Sequence, residues 1–199
     1  MPDEIARLTA AVALQGGASS DFDLNPVMVP QGLTLRPAAV LVPVWLHDGA
    51  ARVILTKRAS HLKHHPGQVA FPGGKRDAGD ASLQSCALRE AREEIGLAPD
   101  RVQILGELPA HVTVTGFTVT PVLGLVRDAF EPVAQADEVE EVFTVPLAHV
   151  LNESRYSIER RLWRGIWRRY YAVPYGPYYI WGATARILRG LADRVARCG

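Results

Sequence analysis

Residues 89–97, with the sequence REAREEIGL, place three carboxylates on one face of a predicted helix. Because a helix advances by about 100° per residue, Glu90, Glu93 and Glu94 fall within a narrow arc. The opposite side is apolar and can face a core, through Leu88, Ala91 and Ile95. Like charges this close repel unless a cation lies among them, and oxygen ligands suit Mg²⁺ or Mn²⁺. The alternative interpretation is a solvated acidic helix face.

A loop-forming run precedes this helix. Residues 71–80, with the sequence FPGGKRDAGD, allow tight turns and close backbone approach. Asp80 or Ser82 can cap a helix that starts near residue 82. A glycine-rich loop that leads into a helix with three glutamates resembles the Nudix box. That family pattern runs Gly, five residues, Glu, seven residues, then Arg-Glu-apolar-x-Glu-Glu-x-Gly-apolar.

The chain matches the second half of this pattern and departs from the first. Ala91 stands at the apolar position, and every other residue from Arg89 onward fits. Five residues after Gly74 comes Asp80 instead of Glu, and eight residues instead of seven then lead to Arg89. The resemblance implies an α/β protein with the Nudix fold, an α/β/α sandwich around a mixed central sheet. It implies a single Nudix hydrolase domain over 1–199, with an N-terminal lead-in at 1–36, a Nudix box at about 74–97 and a C-terminal helix at about 182–197.

Residues 54–74 are similar to the signature of one Nudix branch, the coenzyme A diphosphatases. That signature reads LLT-x-R-(S/A), three residues, R, three residues, G, three residues, FPGG. This chain fits it with Ile54 for the first Leu and Lys63 for the second Arg. The branch also carries the extended Nudix loop with Asp, and residues 180–185, IWGATA, resemble it near the C-terminus. The matches span roughly 54–185.

Composition predicts a compact protein of one domain. Apolar residues make up 48% of the 199 residues and charged residues 22%, which excludes a disordered chain. A net charge of +1 gives no general field for nucleic acid or membrane. Two cysteines, Cys86 and Cys198, are too few for a disulfide framework. The N-terminus lacks a signal-peptide core and no apolar run approaches a membrane span, so we expect a cytoplasmic protein.

Hydrophobic periodicity and turn residues predict the remaining elements. We expect a helix over 3–14, and a hairpin of strands 39–46 and 51–57 with Asp48-Gly49 at its turn. The other predicted strands are 102–108, 117–126, 141–145, 155–173 and 178–181. The other predicted helices are 146–151 and 182–197.

The Nudix resemblance implies a ligand set. We expect Glu90 and Glu94, with help from Glu93, to bind one to three Mg²⁺ or Mn²⁺ ions, and the carbonyl of Gly74 to be a further ligand. A carboxylate that is not fully engaged with metal can accept the proton of an activated water, which makes Glu93 a catalytic candidate. Arg89 precedes Glu93 by four residues, so an ion pair can orient that carboxylate.

A second acidic segment, residues 137–141 with the sequence DEVEE, follows later in the chain. Nudix enzymes often bring one more acidic residue to the metals from this region. Glu138 is the preferred catalytic candidate, and Glu140 or Glu141 is the alternative. A solvated acidic turn before the next strand is the other interpretation.

Candidate substrate contacts cluster after the first hairpin. Arg58 and Lys63 stand where the branch signature has cations, and both can neutralise phosphates. His61, His64 and His65 lie in the same loop, but no cysteine or second cluster supports a zinc site. We therefore expect one histidine, His65, to contact a phosphate or adenine.

Residues 155–171 mix arginines with aromatic side chains. The arginines are Arg155, Arg160, Arg161, Arg164, Arg168 and Arg169, and the aromatics are Tyr156, Trp163, Trp167, Tyr170 and Tyr171. Such a segment can bind single-stranded nucleic acid, form an exposed basic ribbon, contact a second copy in a homodimer, or reach a 3′-phospho-adenosine group. The near-neutral charge of the whole chain argues against nucleic acid, and the spacing decides nothing further.

The resemblance implies metal-dependent hydrolysis of the diphosphate of coenzyme A, and also of acyl or oxidised coenzyme A. The products would be 4′-phosphopantetheine and adenosine 3′,5′-bisphosphate. The residues by themselves indicate only a metal and a diphosphate. A Nudix hydrolase of ADP-ribose or nucleoside triphosphates is the alternative enzyme, and a non-catalytic RNA-binding module is the alternative of a different class.

Overall fold

The computed structural model describes residues 2–26, 32, 34–127, 129–163 and 165–198. In chain order the strands are β1 (Ser19–Ser20), β2 (Arg36–His47), β3 (Ala50–Arg58), β4 (Val69–Ala70), β5 (Gly73–Lys75), β6 (Val102–Glu107), β7 (His111–Val112), β8 (Phe117–Val126), β9 (Val139–Pro146), β10 (Ser157–Trp163) and β11 (Ile166–Ala172). The helices are α1 (Pro2–Ala13), α2 (Leu83–Ile95), α3 (Leu147–Val150) and α4 (Gly182–Ala196).

One mixed sheet contains nine of the strands in the described ranges. Its order is β1-β7-β8-β2-β3-β4, with β5 beside β2, β6 beside β8 and β9 beside β3. The central pair β2 and β8 is parallel, and β2 and β3 form an antiparallel hairpin. Strands β10 and β11 form a separate antiparallel hairpin.

Helices cover both faces of this sheet. Side chains alternate along the central strands, so each face carries apolar side chains that a helix layer can bury. On β2, Ala39 and Leu41 belong to one apolar cluster, together with Ala91 of α2. Val42 and Val44 belong to a second cluster, which includes Leu8 of α1 and Leu188 and Leu191 of α4. The predicted α/β/α sandwich is therefore confirmed.

Several predicted elements are confirmed at or near their bounds. Strand β8 begins and ends at the predicted residues, and α2 begins one residue after Ser82. Asp48 and Gly49 adopt φ values of 49° and 76°, as a tight two-residue hairpin turn requires. The run 155–173 divides into β10 and β11, and Arg164, which stands between them in the sequence, lies outside the described residues.

One predicted strand is wrong, and four short strands were not predicted. Residues 178–181 make only isolated bridges, Ala172 with Trp181 and Tyr175 with Tyr178. Pro174 and Pro177 lack the N–H that a continuous ladder needs, so the chain turns here. The unpredicted strands are β1, β4, β5 and β7, each two or three residues long. Strand β1 falls within the predicted irregular lead-in, of which residues 27–31 and 33 lie outside the described part of the chain.

No helix in the described ranges combines the length and apolarity required to cross a lipid bilayer.

Candidate active site

The glycine-rich loop returns to the sheet as β5 and brings its backbone against β2. Gly73 pairs with Val40 and Gly74 with Ala39. A side chain at Gly73 would have its Cβ 2.5 Å from the carbonyl oxygen of Ala39, so only glycine allows this approach. This placement sets the two glycine peptides beside the carboxylate face of α2.

Helix α2 is fixed at both ends. Ser82 is its N-cap and accepts a hydrogen bond from the Ser85 N–H at 3.0 Å, and the Ser85 hydroxyl accepts from the Ser82 N–H at 2.8 Å. Gly96 ends the helix in the left-handed conformation with φ 72°. Of the two predicted caps, Ser82 is therefore correct and Asp80 has another role.

The three glutamates of α2 differ in exposure. The Glu94 residue is 4% exposed, whereas the side chains of Glu90 and Glu93 are 15% and 57% exposed. We expected all three carboxylates to point outward from the face opposite the apolar stripe, and this is wrong for Glu94, which is buried. Its carboxylate turns under the loop, where it accepts a hydrogen bond from the Gly73 N–H at 3.1 Å.

Glu90 lies directly against Gly74. A Cβ at Gly74 would come within 2.5 Å of Glu90 Oε1 and 2.8 Å of Oε2. The carboxylates of Glu90 and Glu94 therefore meet the two glycine peptides in a space that a larger residue would fill. The donors gathered here are hard oxygens, which fit Mg²⁺ or Mn²⁺ and not a soft metal.

Electrostatics in this cluster disfavour two ionised carboxylates with no cation between them. Burial raises the pKa of Glu94 to about 8, and the negative charges of Glu90 and Glu138 add to the rise. Burial also raises the pKa of Glu90, although Arg89 opposes that shift. Holding both groups ionised is thus costly, and a divalent cation between them would remove the cost. The residues present fit such a cation.

Arg89 joins the loop to the helix. It forms a bidentate contact with Asp80, Nε to Oδ1 and Nη2 to Oδ2, both at 3.0 Å. Its Nη1 lies 2.9 Å from Glu93 Oε2 and 3.0 Å from Glu90 Oε1. The predicted pair of Arg89 with Glu93 is present, while the stronger contact with Asp80 was not predicted. The hydrogen bond from Arg89 lowers the pKa of Asp80 to about 2, so this carboxylate stays ionised.

The contact of Asp80 with Arg89 was not predicted, although the sequence of the loop differs from the family pattern at this point. The loop is one residue longer than the family pattern and ends in a shorter carboxylate, which changes the distance from the loop to α2. Asp80 also accepts a hydrogen bond from the Asp77 N–H at 2.8 Å. The same carboxylate therefore closes the loop and binds Arg89. Neither contact follows from helix periodicity, because both depend on the loop conformation.

The structure separates the three acidic candidates of residues 137–141. Glu140 accepts a hydrogen bond from Lys57 Nζ at 2.6 Å, and Glu141 accepts one from the Tyr178 hydroxyl. Glu138 is exposed and forms no side-chain hydrogen bond or ion pair with any described residue, but its charge raises the pKa of both Glu90 and Glu94. Of the three, Glu138 is the carboxylate that lies near the cluster.

Arg58 approaches the same cluster from β3. A register shift after Lys57 sets Arg58 opposite Val139, and the next N–H, from Ala59, donates to the Glu138 carbonyl at 2.9 Å. The positive charge of Arg58 acts on Glu94 and opposes the rise in its pKa. The backbones of Arg58 and Glu138 are thus adjacent, and the charges of both side chains act on Glu94.

Lys63 and His65 lie farther out, in the loop between β3 and β4. The base of this loop is closed by the Arg58 N–H to the Gln68 carbonyl at 3.0 Å and the Gly67 N–H to the Arg58 carbonyl at 3.1 Å. His65 has a φ of 54°, and both side chains are exposed. Neither contacts Glu90 or Glu94 through any hydrogen bond or ion pair between described residues.

Within the described part of the chain, no three His, Cys, Asp or Glu side chains converge as a ready metal cluster. Glu93 turns to Arg89 instead of toward Glu94. The carboxylates brought together at the glycine peptides are therefore Glu90 and Glu94, with Glu138 nearby.

Comparisons with known proteins agree with this geometry. The NUDIX domain family matches residues 35–163, more than half of the chain. Two relatives, both carrying the name uncharacterized Nudix hydrolase NudL, come from Enterobacter sp. strain 638 and Salmonella typhimurium strain LT2. Each is 46% identical, over 175 and 172 residues, and each match covers 86% of this chain and 89% of the relative.

Solved structures share the fold. A Nudix hydrolase from M. smegmatis, RenU, superimposes with a TM-score of 0.50 at 23% identity, covering 61% of this chain and 83% of that one. A MutT/nudix family protein from Enterococcus faecalis gives a TM-score of 0.50 at 17% identity, covering 85% of this chain and 65% of that one. With the family match and the 46% identical relatives, the sandwich and its acidic helix show that the chain belongs to the Nudix hydrolases, which act on pyrophosphate-containing substrates.

Proposed function

We propose that this Nudix hydrolase cleaves the diphosphate of coenzyme A, with acyl or oxidised coenzyme A as further substrates. The oxygen of one water would add to a phosphorus of the diphosphate, and the bond from that phosphorus to the bridging oxygen would break. The products are 4′-phosphopantetheine and adenosine 3′,5′-bisphosphate, each with a terminal phosphate. The water's proton leaves to a carboxylate.

The observation that carries a metal-dependent phosphoanhydride reaction is the oxygen cluster at β5. Glu90 lies against Gly74, buried Glu94 is held by Gly73, and the cation Arg58 acts on the same carboxylate. We propose that Glu90, Glu93, Glu94 and the Gly74 carbonyl hold Mg²⁺ or Mn²⁺, the kind of ion that Nudix hydrolases generally use. A cation there would neutralise phosphate oxygens and lower the pKa of the attacking water.

The chain's own residues supply the remaining roles. Glu93 or Glu138 would accept the proton, and Arg89 positions Glu93 through the 2.9 Å ion pair. Arg58, Lys63 and His65 would bind the anionic substrate, with Arg58 nearest to the reacting phosphates and the other two farther along the loop. A cation near the diphosphate offsets its charge both before and during attack.

The choice of coenzyme A is supported by where two distant segments meet. Residues 54–74 and 180–185 both resemble the coenzyme A diphosphatase branch, and they are far apart in the sequence. The Thr184 hydroxyl donates to the Val69 carbonyl at 3.1 Å in the buried interior, and Gly182 lies beside Gln68. The two segments thus pack against each other, and β4, which carries Val69, pairs with β3, the strand that ends in Arg58.

A substrate panel tests the proposal. Purified protein with Mg²⁺ or Mn²⁺ is incubated with coenzyme A, ADP-ribose and nucleoside triphosphates, and the products are identified by mass. We expect the highest kcat/KM with coenzyme A, and ¹⁸O from labelled water in only one of the two products. Faster turnover of ADP-ribose or a triphosphate would reassign the substrate. No turnover of any substrate, together with RNA binding, would contradict an enzymatic role.

Variants link turnover to the cluster. Glu94→Gln keeps the size of the side chain and removes its charge, so we expect a loss of kcat of about 100-fold or more, since metal and water activation depend on that carboxylate. Glu107→Gln, an exposed change at the end of β6, is the matched control and should retain activity. Full activity of Glu94→Gln at saturating Mg²⁺ would remove Glu94 from the ligand set.

A further inference from the structure

The hairpin of β10 and β11 has one edge without a partner strand among the described residues. The edge of β11 is partly covered, because the Asn25 side chain accepts the Arg169 N–H at 2.8 Å and donates to the Arg169 carbonyl at 2.9 Å. On the other side, no described strand pairs with β10. Its outward backbone N–H and C=O groups are therefore available to a further strand.

Strand β10 also exposes apolar side chains. Ile158 is 54% exposed and Leu162 is 56% exposed, and each belongs to the same face of the hairpin. A long, exposed edge strand with apolar residues is a surface at which soluble proteins commonly associate. The strand thus combines free hydrogen-bonding groups with apolar area.

The sequence of this edge is complementary to itself. Residues 158–162 read Ile-Glu-Arg-Arg-Leu, with an apolar residue at each end and opposite charges at Glu159 and Arg161. Glu159 forms no hydrogen bond or ion pair with any described residue. We propose that β10 pairs antiparallel with β10 of a second copy, about a twofold axis at Arg160, and so forms a homodimer.

Charge selects this register. Directly opposed residues of an antiparallel pair lie on the same face of the sheet. The twofold axis must therefore lie midway between a residue and its own copy in the partner strand, so that this residue opposes itself. An axis at Glu159 sets two glutamates opposite each other, and an axis at Arg161 opposes two arginines and sets Leu162 against Arg160. The axis at Arg160 alone gives two Glu159–Arg161 pairs and two Ile158–Leu162 pairs.

The remaining like-charge contact, between the two Arg160 residues, is relieved locally. The Arg160 guanidinium lies over the Trp167 ring of its own hairpin, 5.0 Å from the ring centroid. This cation-π contact draws the charge away from the twofold axis. A single strand pair buries less area than a permanent dimer needs, so association should be weak and depend on protein concentration.

Charge reversal tests the pairing by sedimentation equilibrium. The wild-type protein should dimerise reversibly in the micromolar range. Glu159→Arg and Arg161→Glu should each weaken the dimer at least tenfold, because each opposes like charges twice. An equimolar mixture of the two variants should recover association as a heterodimer, since positions 159 and 161 then carry opposite charges across both cross-strand pairs.

Controls separate pairing from misfolding. Glu107→Arg adds the same charge on β6 and should dimerise like the wild type, and equal melting temperatures would show that all variants fold. The proposal is overturned if the wild type stays monomeric up to about 500 μM, well above a weak association. It is also overturned if charge reversal changes nothing, if the mixture does not associate, or if the wild type binds a single-stranded oligonucleotide while remaining monomeric.

Discussion

At the scale of single residues, the proposed metal site depends most on the buried carboxylate Glu94. Burial raises its pKa to about 8, and Glu90 and Glu138 contribute further. The folded protein therefore holds a proton on Glu94 at pH values where the unfolded chain has lost it. Between the ordinary pKa of a glutamate and about 8, the stability of the metal-free protein should fall as pH rises.

A cation at this site must displace that proton, which makes its affinity depend on pH. As the pH rises towards about 8, we expect the Mg²⁺ dissociation constant to fall by up to about tenfold per pH unit. Above that pH it should level off. Calorimetric titration with Mg²⁺ at pH values from 6 to 9 measures this dissociation constant. Glu94→Gln should bind weakly with little pH dependence. An affinity of the wild type that is constant across this range would contradict protonation of Glu94.

The bidentate contact of Arg89 with Asp80 gives a second prediction at this scale. Asp80→Asn keeps the shape but removes the charge that fixes the guanidinium, so Arg89 holds Glu93 less firmly. Loss of an outer partner of this kind commonly costs about 10–100-fold in activity, and we expect the loss in kcat rather than in KM. Asp100→Asn, an exposed change beyond the end of α2, is the control. Equal activity of both variants would remove Asp80 from a positioning role.

At the scale of elements, the sequence predicted those whose pattern is local and periodic. Strand β8 follows from its β-forming residues at 118–120, and helix α2 follows from its apolar stripe and from Ser82 and Gly96 at its ends. Strand β5 was not predicted, because three residues with two glycines carry no periodicity and pair only through contact with β2.

The candidate site was likewise predictable only where it depends on local helical spacing. Helical spacing placed Glu90 and Glu94 on neighbouring positions, but it did not reveal that Glu94 is buried under the loop. The role of Asp80 depends on the fold of a loop lengthened by one residue. The predicted contacts of Lys63 and His65 stay predictions, because both side chains are exposed and bond to neither Glu90 nor Glu94.

The close approach of β5 to α2 predicts a sharp effect of one methyl group. Gly74→Ala would bring a Cβ within 2.5 Å of Glu90 Oε1, so Glu90 must move away from the glycine peptide. We expect a Mg²⁺ affinity at least about tenfold weaker, with a comparable loss of kcat. Gly79→Ala, in the same loop, meets no atom within 4 Å and should be near wild type. Similar activity of the two variants would contradict the approach.

At the scale of the whole molecule, the N-terminal helix is tied to the C-terminal one. Arg194 of α4 is 5% exposed and donates to three carbonyls at the end of α1, those of Ala11, Val12 and Leu14. The last carbonyls of a helix have no partner within it, so Arg194 serves as a distant C-cap. The contact closes the face of the sandwich opposite α2.

This link should contribute measurably to stability. Arg194→Leu leaves the carbonyls unsatisfied, and we expect the free energy of unfolding to fall by about 2–4 kcal/mol, as for loss of a charged hydrogen-bond donor in a buried site. Urea denaturation measures it, with exposed Arg197→Leu as the control. A change below about 0.5 kcal/mol, the usual size of surface effects, would show that Arg194 adds little to the attachment of α1.

The most direct test of the account is the position of Mn²⁺ in crystals soaked with the ion, located by anomalous scattering. We expect a peak within coordination distance of carboxylate oxygens of Glu90 and Glu94 and of the Gly74 carbonyl, and no peak in crystals of Glu94→Gln. A fully occupied ion elsewhere on the surface, with the space between α2 and β5 empty, would contradict it.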